Sequence, residues 1–314
     1  MLPPVRIKSQ LFNEDRTVVA EKTNVLEKIT LPGANLNLIA DVAGPDDAPT
    51  ILFLHSSGQT RQSWGSALEV ARKRGYRAFA LDLRGHGDSD WASDGKYSLE
   101  LFAEDLQRVI ECIGKAPVLV GASLGGLASM LAIASSPALA RALVLVDITP
   151  RVEMNGAQEV MAFMESAPNG YASLDEAADA VAAYLPHRKR PKTTSGLLRN
   201  LRERDGRYYW HWDPAFMQMG RDANKKYEFD KHVEEVMINP LEEAARRVTI
   251  PTLLIRGGRS RIVSDESVRE FKKLVPHAEF VDIPDADHMV AGDANDAFNE
   301  AVFRFIDQQL QRSN

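Results

Sequence analysis

Short, almost wholly apolar runs alternate along this chain with amphipathic segments of helical length, and that rhythm restricts the fold more than any other feature. The runs are Thr50–Leu54, Arg77–Leu81, Ala116–Val120, Ala142–Val146, Thr252–Ile255 and Glu279–Ile283. Each reads as a strand buried on both faces. Between the first four lie helix-like stretches at 62–74, 99–113 and 124–136, and two more follow at 265–275 and 293–311. Parallel strands need crossovers of a dozen residues or more, and these intervals supply them. The expected class is α/β, a mostly parallel central sheet with helices on both faces. Ahead of it, Val25–Thr30 and Leu36–Val42 flank Pro32-Gly33-Ala34-Asn35, a turn signal that predicts a hairpin.

One interval breaks the rhythm. Between Pro150 and about Thr249 the pattern is helical, with Ala157–Glu165, Leu174–Tyr184, Thr194–Leu201 and Val233–Arg247 as candidate helices and no convincing strand. A structureless loop of that length does not fit a compact domain, so the interval is expected to be a helical cap over the sheet. The organisation is then an N-terminal arm over 1–23, a core over 24–149 and 250–314, and a cap, or lid, over 150–249.

Composition removes several classes of function. The formal charge is −6 across 314 residues, and Lys and Arg are scattered. The densest basic run, His187-Arg188-Lys189-Arg190-Pro191-Lys192, is short and set among acidic neighbours, as in a solvated loop. Neither a nucleic-acid partner nor a membrane is expected. No stretch approaches the roughly 20 apolar residues of a membrane span, and Met1-Leu2-Pro3-Pro4-Val5-Arg6 leads into charged residues without an apolar leader, so the expected compartment is the cytoplasm. The single cysteine, Cys112, excludes an internal disulfide and is expected to be a small buried hydrophobe on the helix over 99–113. No metal-ligand spacing and no G-x-G-x-x-G are present, so neither a metal nor a cofactor is expected.

Chemistry concentrates at Gly121-Ala122-Ser123-Leu124-Gly125, a G-x-S-x-G placed after a strand run and before a helix run. In that context the chain turns sharply, the small residues allow close backbone approach, and the serine hydroxyl stands out at the carboxyl end of the sheet. The following helix N-terminus favours developing negative charge.

Here the sequence resembles the α/β-hydrolase superfamily, and more narrowly its lid-bearing serine esterases. The resemblance runs from about Val25 to the C-terminus. It includes Leu54-His55 with Ser56-Ser57-Gly58-Gln59-Thr60 and Trp64, then Asp82-Leu83-Arg84-Gly85-His86-Gly87-Asp88-Ser89, the elbow at Ser123 and a late Asp287-His288. It implies a cofactor-independent hydrolase with Ser123 as nucleophile and His288 as general base. His55 and His86 are expected to hold their loops in shape. The oxyanion hole is expected to use the backbone N–H groups of Leu124 and Ser57. Relatives usually carry glycine where this chain has Ser56.

The acid has two candidate places. Many relatives put it after the strand matching Thr252–Ile255, as G-x-x-D, but this chain reads Gly258-Arg259-Ser260-Arg261. A cation there cannot orient an imidazolium. Asp147 follows the strand next after the nucleophile's own, and Asp147-Ile148-Thr149-Pro150 resembles a branch of small esterases whose acid sits there. Asp147 is the preferred acid, Asp265 the alternative, and a helix N-cap the other use for Asp147.

The expected reaction is hydrolysis of an ester or lactone through an acyl-Ser123 intermediate, on a small-molecule substrate. Thioesterase, carbon–carbon bond hydrolase and a ligand sensor with little turnover are the alternatives. Phe163, Trp210 and Trp212, with Met164, Tyr208, Phe216, Met217 and Met219, are expected either to line an apolar pocket or to form the cap's own core. Arg261 is expected either to bind a substrate carboxylate or to be a salt-bridged surface residue. The assembly is expected to be a monomer or a homodimer.

Overall fold

Eight strands form one sheet, and each of the six predicted core runs contributes one of them. The structure, a computed structural model, describes residues 26–186, 190, 193–219, 238–293 and 295–311. The arm expected over 1–23, most of the basic run and the first residues of the helix expected at 233–247 lie outside the described residues.

The strands are β1 (Glu27–Pro32), β2 (Asn37–Ala43), β3 (Thr50–Leu54), β4 (Arg77–Leu81), β5 (Val118–Ala122), β6 (Ala142–Val146), β9 (Thr252–Gly257) and β10 (Glu279–Ile283), with β7 (Leu201–Arg204) and β8 (Arg207–Trp210) forming a separate hairpin. The order across the sheet is β1-β2-β4-β3-β5-β6-β9-β10. β1 and β2 are antiparallel, β2 is antiparallel to β4, and all the other pairings are parallel. This is the expected α/β class and the α/β-hydrolase arrangement.

Side-chain alternation sorts the strands' apolar residues into two cores. Leu52, Leu54, Leu119, Leu143 and Leu145 point to one face, where α2 (Leu99–Ile113), α3 (Leu124–Ser135), α6 (Asn239–Arg246) and α7 (Asp265–Leu274) cover them. Ile51, Phe53, Val118, Val120, Val144 and Val146 point to the other, against α1 (Gly65–Lys73) and α9 (Asn295–Gln311). A short α8 (Val290–Asp293) precedes α9. Four positions inside β3, Ile51 to Leu54, are 0% exposed, which explains why no polar residue interrupts that run.

Two expectations need correction. The interval after β6 is not purely helical. It carries α4 (Met154–Glu165) and α5 (Leu174–Tyr184), but also the β7–β8 hairpin. The turn is Asp205-Gly206, both at positive φ (53° and 73°), the geometry an Asp-Gly pair favours in a two-residue hairpin loop. Cys112 is exposed rather than buried. α2 buries Phe102, Ala103, Leu106, Val109 and Ile110, and that stripe leaves Cys112 on the outer flank beside exposed Glu111. Among the described residues no helix is long and apolar enough to cross a membrane, and no cluster of metal-ligating side chains occurs.

Candidate active site

β5 delivers Ser123 at the carboxyl edge of the sheet, and the backbone there is strained. Ser123 has φ 46° and ψ −113°, outside the regions that L-residues prefer. What holds it is close packing on both sides. A Cβ on Gly121 would lie 2.5 Å from the Gly125 carbonyl oxygen, and one on Gly125 would lie 2.6 Å from Leu54 O. The Ser123 N–H donates to Val146 O at 3.1 Å, and Leu127 N–H donates to Ser123 O at 3.0 Å, which ties the turn to β6 and to α3.

Asp147 follows β6, the strand paired with β5, and it too sits at positive φ (50°). Its N–H donates to Ile255 O at 2.7 Å, which fixes the residue against β9. The carboxylate is fully buried and meets three donors. Gly257 N–H reaches Oδ1 at 3.0 Å, Ser260 Oγ reaches Oδ2 at 2.5 Å, and His288 Nδ1 lies 2.6 Å from Oδ2. His288 stands on the loop between β10 and α8, its side chain 13% exposed and its N–H bonded to Asp287 Oδ1 at 3.1 Å. A buried carboxylate bonded at Nδ1 selects the tautomer that leaves the Nε2 lone pair free.

Asp265 is placed elsewhere. It begins α7, its carboxylate is largely exposed, and it pairs with Arg256 Nη1 at 2.5 Å. Arg261 is half exposed and forms an ion pair with Glu159 of α4. Of the two uses considered for it, the structure places it in a salt bridge at the surface.

The loop after β3 is a tight turn over Ser56–Gln59. Gln59 N–H donates to Ser56 O at 3.1 Å, and Gly58, the third residue, sits at φ 73°, a conformation glycine adopts without strain. Ser57 occupies the second position of that turn. Leu124 opens α3, where the first N–H groups of a helix have no intrahelical acceptor. A Cβ on Gly58 would stand 3.2 Å from the Trp212 ring and 3.3 Å from Met164 Cε, so the insertion packs directly on this turn.

A buried charge network that the sequence reading did not pick out anchors the same loop. Arg61 donates from its backbone N–H to Asp82 Oδ1 at 2.6 Å, from Nε to Asp41 Oδ1 at 2.8 Å, and from Nη1 to Asp82 Oδ2. Its Nη2 also reaches Asp88 Oδ2 at 3.0 Å, and Asp88 pairs in turn with Arg202 of β7. The network thus joins the core to the insertion.

The two buried histidines hold loops, as expected. His55 Nδ1 lies 2.8 Å from Ser56 O, and its Nε2 accepts the Leu83 N–H at 3.0 Å, an arrangement for the neutral ring. Burial, reinforced by Arg61, lowers its pKa to about 4 against a backbone hydrogen bond that raises it. His86 Nδ1 lies 2.9 Å from Arg84 O, and burial with the neighbouring His55 lowers its pKa to about 3.

A cavity of about 780 Å³ opens beside His288. Its lining includes apolar residues of α5, Ala178, Val181 and Ala182, with Leu185 just after it, and the polar residues Ser56, Gln59, Gln62 and Ser66. Trp210 and Trp212 stack at 5.1 Å, and Phe163 meets Trp210 edge-on at 5.5 Å while stacking on Tyr184 at 4.2 Å. Phe163 and Trp210 are half buried in this aromatic cluster, Trp212 is buried against the Gly58 turn, and none of the three lines this cavity.

Residues 49–294 match the profile of the family described as alpha/beta hydrolase fold. The chain belongs to that family. The esterase Rv0045c of Mycobacterium tuberculosis is 31% identical to this α/β hydrolase over 268 residues, covering 83% of each chain. The sn-1-specific diacylglycerol lipase ABHD11 of Mus musculus is 29% identical and spans 84% of this chain and 82% of its own length. The 2-(acetamidomethylene)succinate hydrolase of Mesorhizobium japonicum is 30% identical over 82% of this chain and 88% of its own. Among solved structures, the E-2-(acetamidomethylene)succinate hydrolase aligns with a TM-score of 0.77 at 23% identity, covering 90% of this chain and all of that one. Rv0045c aligns at 0.69 and 28% identity, covering 91% and 92%. These relatives hydrolyse their substrates, and this chain is a hydrolase of α/β fold.

Proposed function

We propose that this α/β hydrolase is a serine esterase in which Ser123, His288 and Asp147 act together. The observation that carries the reading is the 2.6 Å contact between His288 Nδ1 and the fully buried Asp147 carboxylate. It presents a histidine with its Nε2 lone pair free at the sheet edge where the strained Ser123 turn ends. The resemblance to an esterase and to a lipase over more than four-fifths of the chain supports the same class.

In this reading Ser123 Oγ attacks the carbonyl carbon while its proton passes to His288 Nε2. The Leu124 and Ser57 N–H groups receive the oxyanion of the tetrahedral intermediate. Collapse breaks the ester C–O bond, and the alcohol leaves with the proton from Nε2. Water then attacks the acyl-Ser123 carbonyl, delivering a proton to Nε2, and the carboxylic acid departs as Ser123 regains its hydrogen. Asp147 keeps its charge throughout and stabilises the imidazolium. The insertion acts as the cap, and the 780 Å³ cavity receives a medium-sized acyl or alcohol group among its apolar α5 residues and its polar lining residues.

The test is intact-mass labelling with a fluorophosphonate on the wild type and on Ser123→Ala. One adduct on the wild type that is absent from the variant is the expected result. No adduct on the folded wild type would defeat the esterase reading and favour a ligand sensor on a hydrolase fold.

A further inference from the structure

Arg199 ends a short helical turn of the insertion, Ser195–Arg199, and the core holds its backbone in place. Thr60, buried directly after the Ser56–Gln59 turn, donates from Oγ1 to Arg199 O at 3.1 Å. Arg199 lines the 780 Å³ cavity beside His288 and also a recess of about 210 Å³. Arg61 and Gln62 belong to both linings as well, so the recess lies directly against the cavity, with Arg199 at their boundary.

Charge is unevenly matched there. Arg61 forms salt bridges with Asp41, Asp82 and Asp88, and Asp88 is shared with Lys28 and Arg202. Three cations meet three carboxylates, and that network is neutral. Arg190, also on the cavity wall, pairs with Asp175 and Asp179. Arg199 has no carboxylate partner among the described residues. His211, which lines the recess, adds no charge at neutral pH, because burial first and Arg202 next lower its pKa to about 4.

We propose that Arg199 anchors a carboxylate subsite of this cavity, and that the preferred esters carry one carboxylate at the far end of their acyl or alcohol chain. The proposal rests on the esterase reading and adds a substrate class to it. A guanidinium presents paired N–H donors in one plane, which match the two oxygens of a carboxylate. One uncompensated cation calls for one negative charge. A phosphate monoester, with close to two, would bring excess charge beside Asp88. Ala178, Val181 and Ala182 in the same lining suit the methylene chain between the two ends. Because Thr60 ties Arg199 to the loop that carries Ser57, the span from carboxylate to reacting carbonyl is set, and chain length selects among substrates. Arg261, the cation considered for this role from the sequence, is occupied by Glu159.

The test compares esters that differ by one charge. Monomethyl adipate and monomethyl suberate carry the carboxylate on the acyl side, and butyryloxyhexanoate carries it on the alcohol side. Methyl hexanoate, methyl octanoate and hexyl butyrate are their neutral counterparts. Hydrolysis is followed by pH-stat at neutral pH for wild type, Arg199→Met and Arg199→Lys, with thermal midpoints measured with and without free adipate. In the wild type at least one carboxylate ester is expected to exceed its counterpart about tenfold in kcat/KM. Arg199→Met is expected to cut that ratio about tenfold, mainly through KM, the scale of one charge-assisted pair at a partly exposed site. Arg199→Lys keeps the charge but loses the planar fork, and its ratio is expected to fall between the two. Adipate, which has no ester bond, is expected to raise the midpoint of wild type more than that of Arg199→Met. A wild-type ratio near one for all three esters, an unchanged ratio in Arg199→Met, or equal stabilisation of both proteins by adipate would overturn the subsite. Failure to hydrolyse any ester, with adipate still stabilising the wild type through Arg199, would instead sink the esterase reading and leave the carboxylate site standing.

Discussion

Replacing Asp147 by asparagine changes almost nothing in shape and nearly everything in hydrogen bonding. Three donors converge on the carboxylate: Gly257 N–H on Oδ1, Ser260 Oγ–H and His288 Nδ1–H on Oδ2. A carboxylate can accept all three, whereas an amide has one oxygen. If that oxygen faces Gly257, the amide NH₂ faces His288, and the ring must turn its unprotonated nitrogen towards 147. Nε2 then carries the hydrogen and cannot take the Ser123 proton. If the amide is turned the other way, NH₂ confronts the buried Gly257 N–H, a mismatch costing about 1–3 kcal/mol. Asp147 is fully buried, so solvent cannot relieve either arrangement.

The inactive tautomer is therefore the favoured one, and the imidazolium loses its counter-charge as well. Both effects together place the loss in kcat at about 10³ to 10⁴, equivalent to roughly 4–5.5 kcal/mol of transition-state stabilisation. The assay is hydrolysis of p-nitrophenyl butyrate by wild type and Asp147→Asn, with circular dichroism melting to confirm that the isosteric variant stays folded. KM is expected to change little, because Asp147 is buried behind His288 and touches no substrate. A kcat within tenfold of wild type on a folded variant would refute the argument and remove Asp147 from the machinery.

Two further predictions rest on other parts of the structure. Asp265→Asn is expected to leave kcat within about twofold and cost under ~1 kcal/mol in urea unfolding, because its partner Arg256 also holds Asp282 and the Asp265 carboxylate is itself largely exposed; a loss of orders of magnitude in kcat would place the acid there instead. The buried His55 and His86 predict a pH dependence of stability. Both have folded-state pKa values below the ordinary 6.5, about 4 and about 3. Their contribution is complete above the unfolded value and is lost as pH falls from there, since the unfolded chain binds protons the folded chain refuses. Each histidine then costs about 1.4 kcal/mol per pH unit below 6.5. Thermal midpoints at pH 6.5 and 5.0, at constant ionic strength, are expected to differ by several degrees, and equal midpoints would contradict the assignment of neutral buried rings.

How much of this was legible in the sequence depended on whether a signal was local. The runs Thr50–Leu54, Arg77–Leu81 and Ala142–Val146 coincide with strands because a strand inside a sheet has no polar face to blur its limits, whereas Glu279–Ile283 coincides with an edge strand, β10, that keeps Glu279 and Asp282 exposed rather than being buried on both faces. The run expected at Ala116–Val120 lies two residues later, at Val118–Ala122. Pro117 has no N–H for a ladder, and Gly121 and Ala122 pair with Leu145 and Val146 before the turn begins. The β7–β8 hairpin was missed although Asp205-Gly206 advertises it, because its strands are four residues long and Arg202-Glu203-Arg204 is exposed, so no alternation of apolar residues marks them. Cys112 was misplaced by treating residue type as a guide to burial where helical phase decided it.

The Asp147–His288 contact illustrates what local reading leaves open. It spans 141 positions, and only the order of strands brings its ends together. Asp147 was a candidate because β6 neighbours the strand that carries Ser123, and the sheet order places β9 on its other side. The loop after β9 therefore lies against Asp147 whichever loop bears the acid. In this chain that loop offers Gly257 N–H and the Ser260 hydroxyl to the carboxylate, while Arg261 turns outward to Glu159. An arginine at the position expected to be acidic thus does not signal an empty site. Two adjacent loops meet beside His288, one carrying the carboxylate and the other the donors that bind it. Ser260, unremarkable in the sequence, becomes legible as a partner of Asp147 only when the strand order is known.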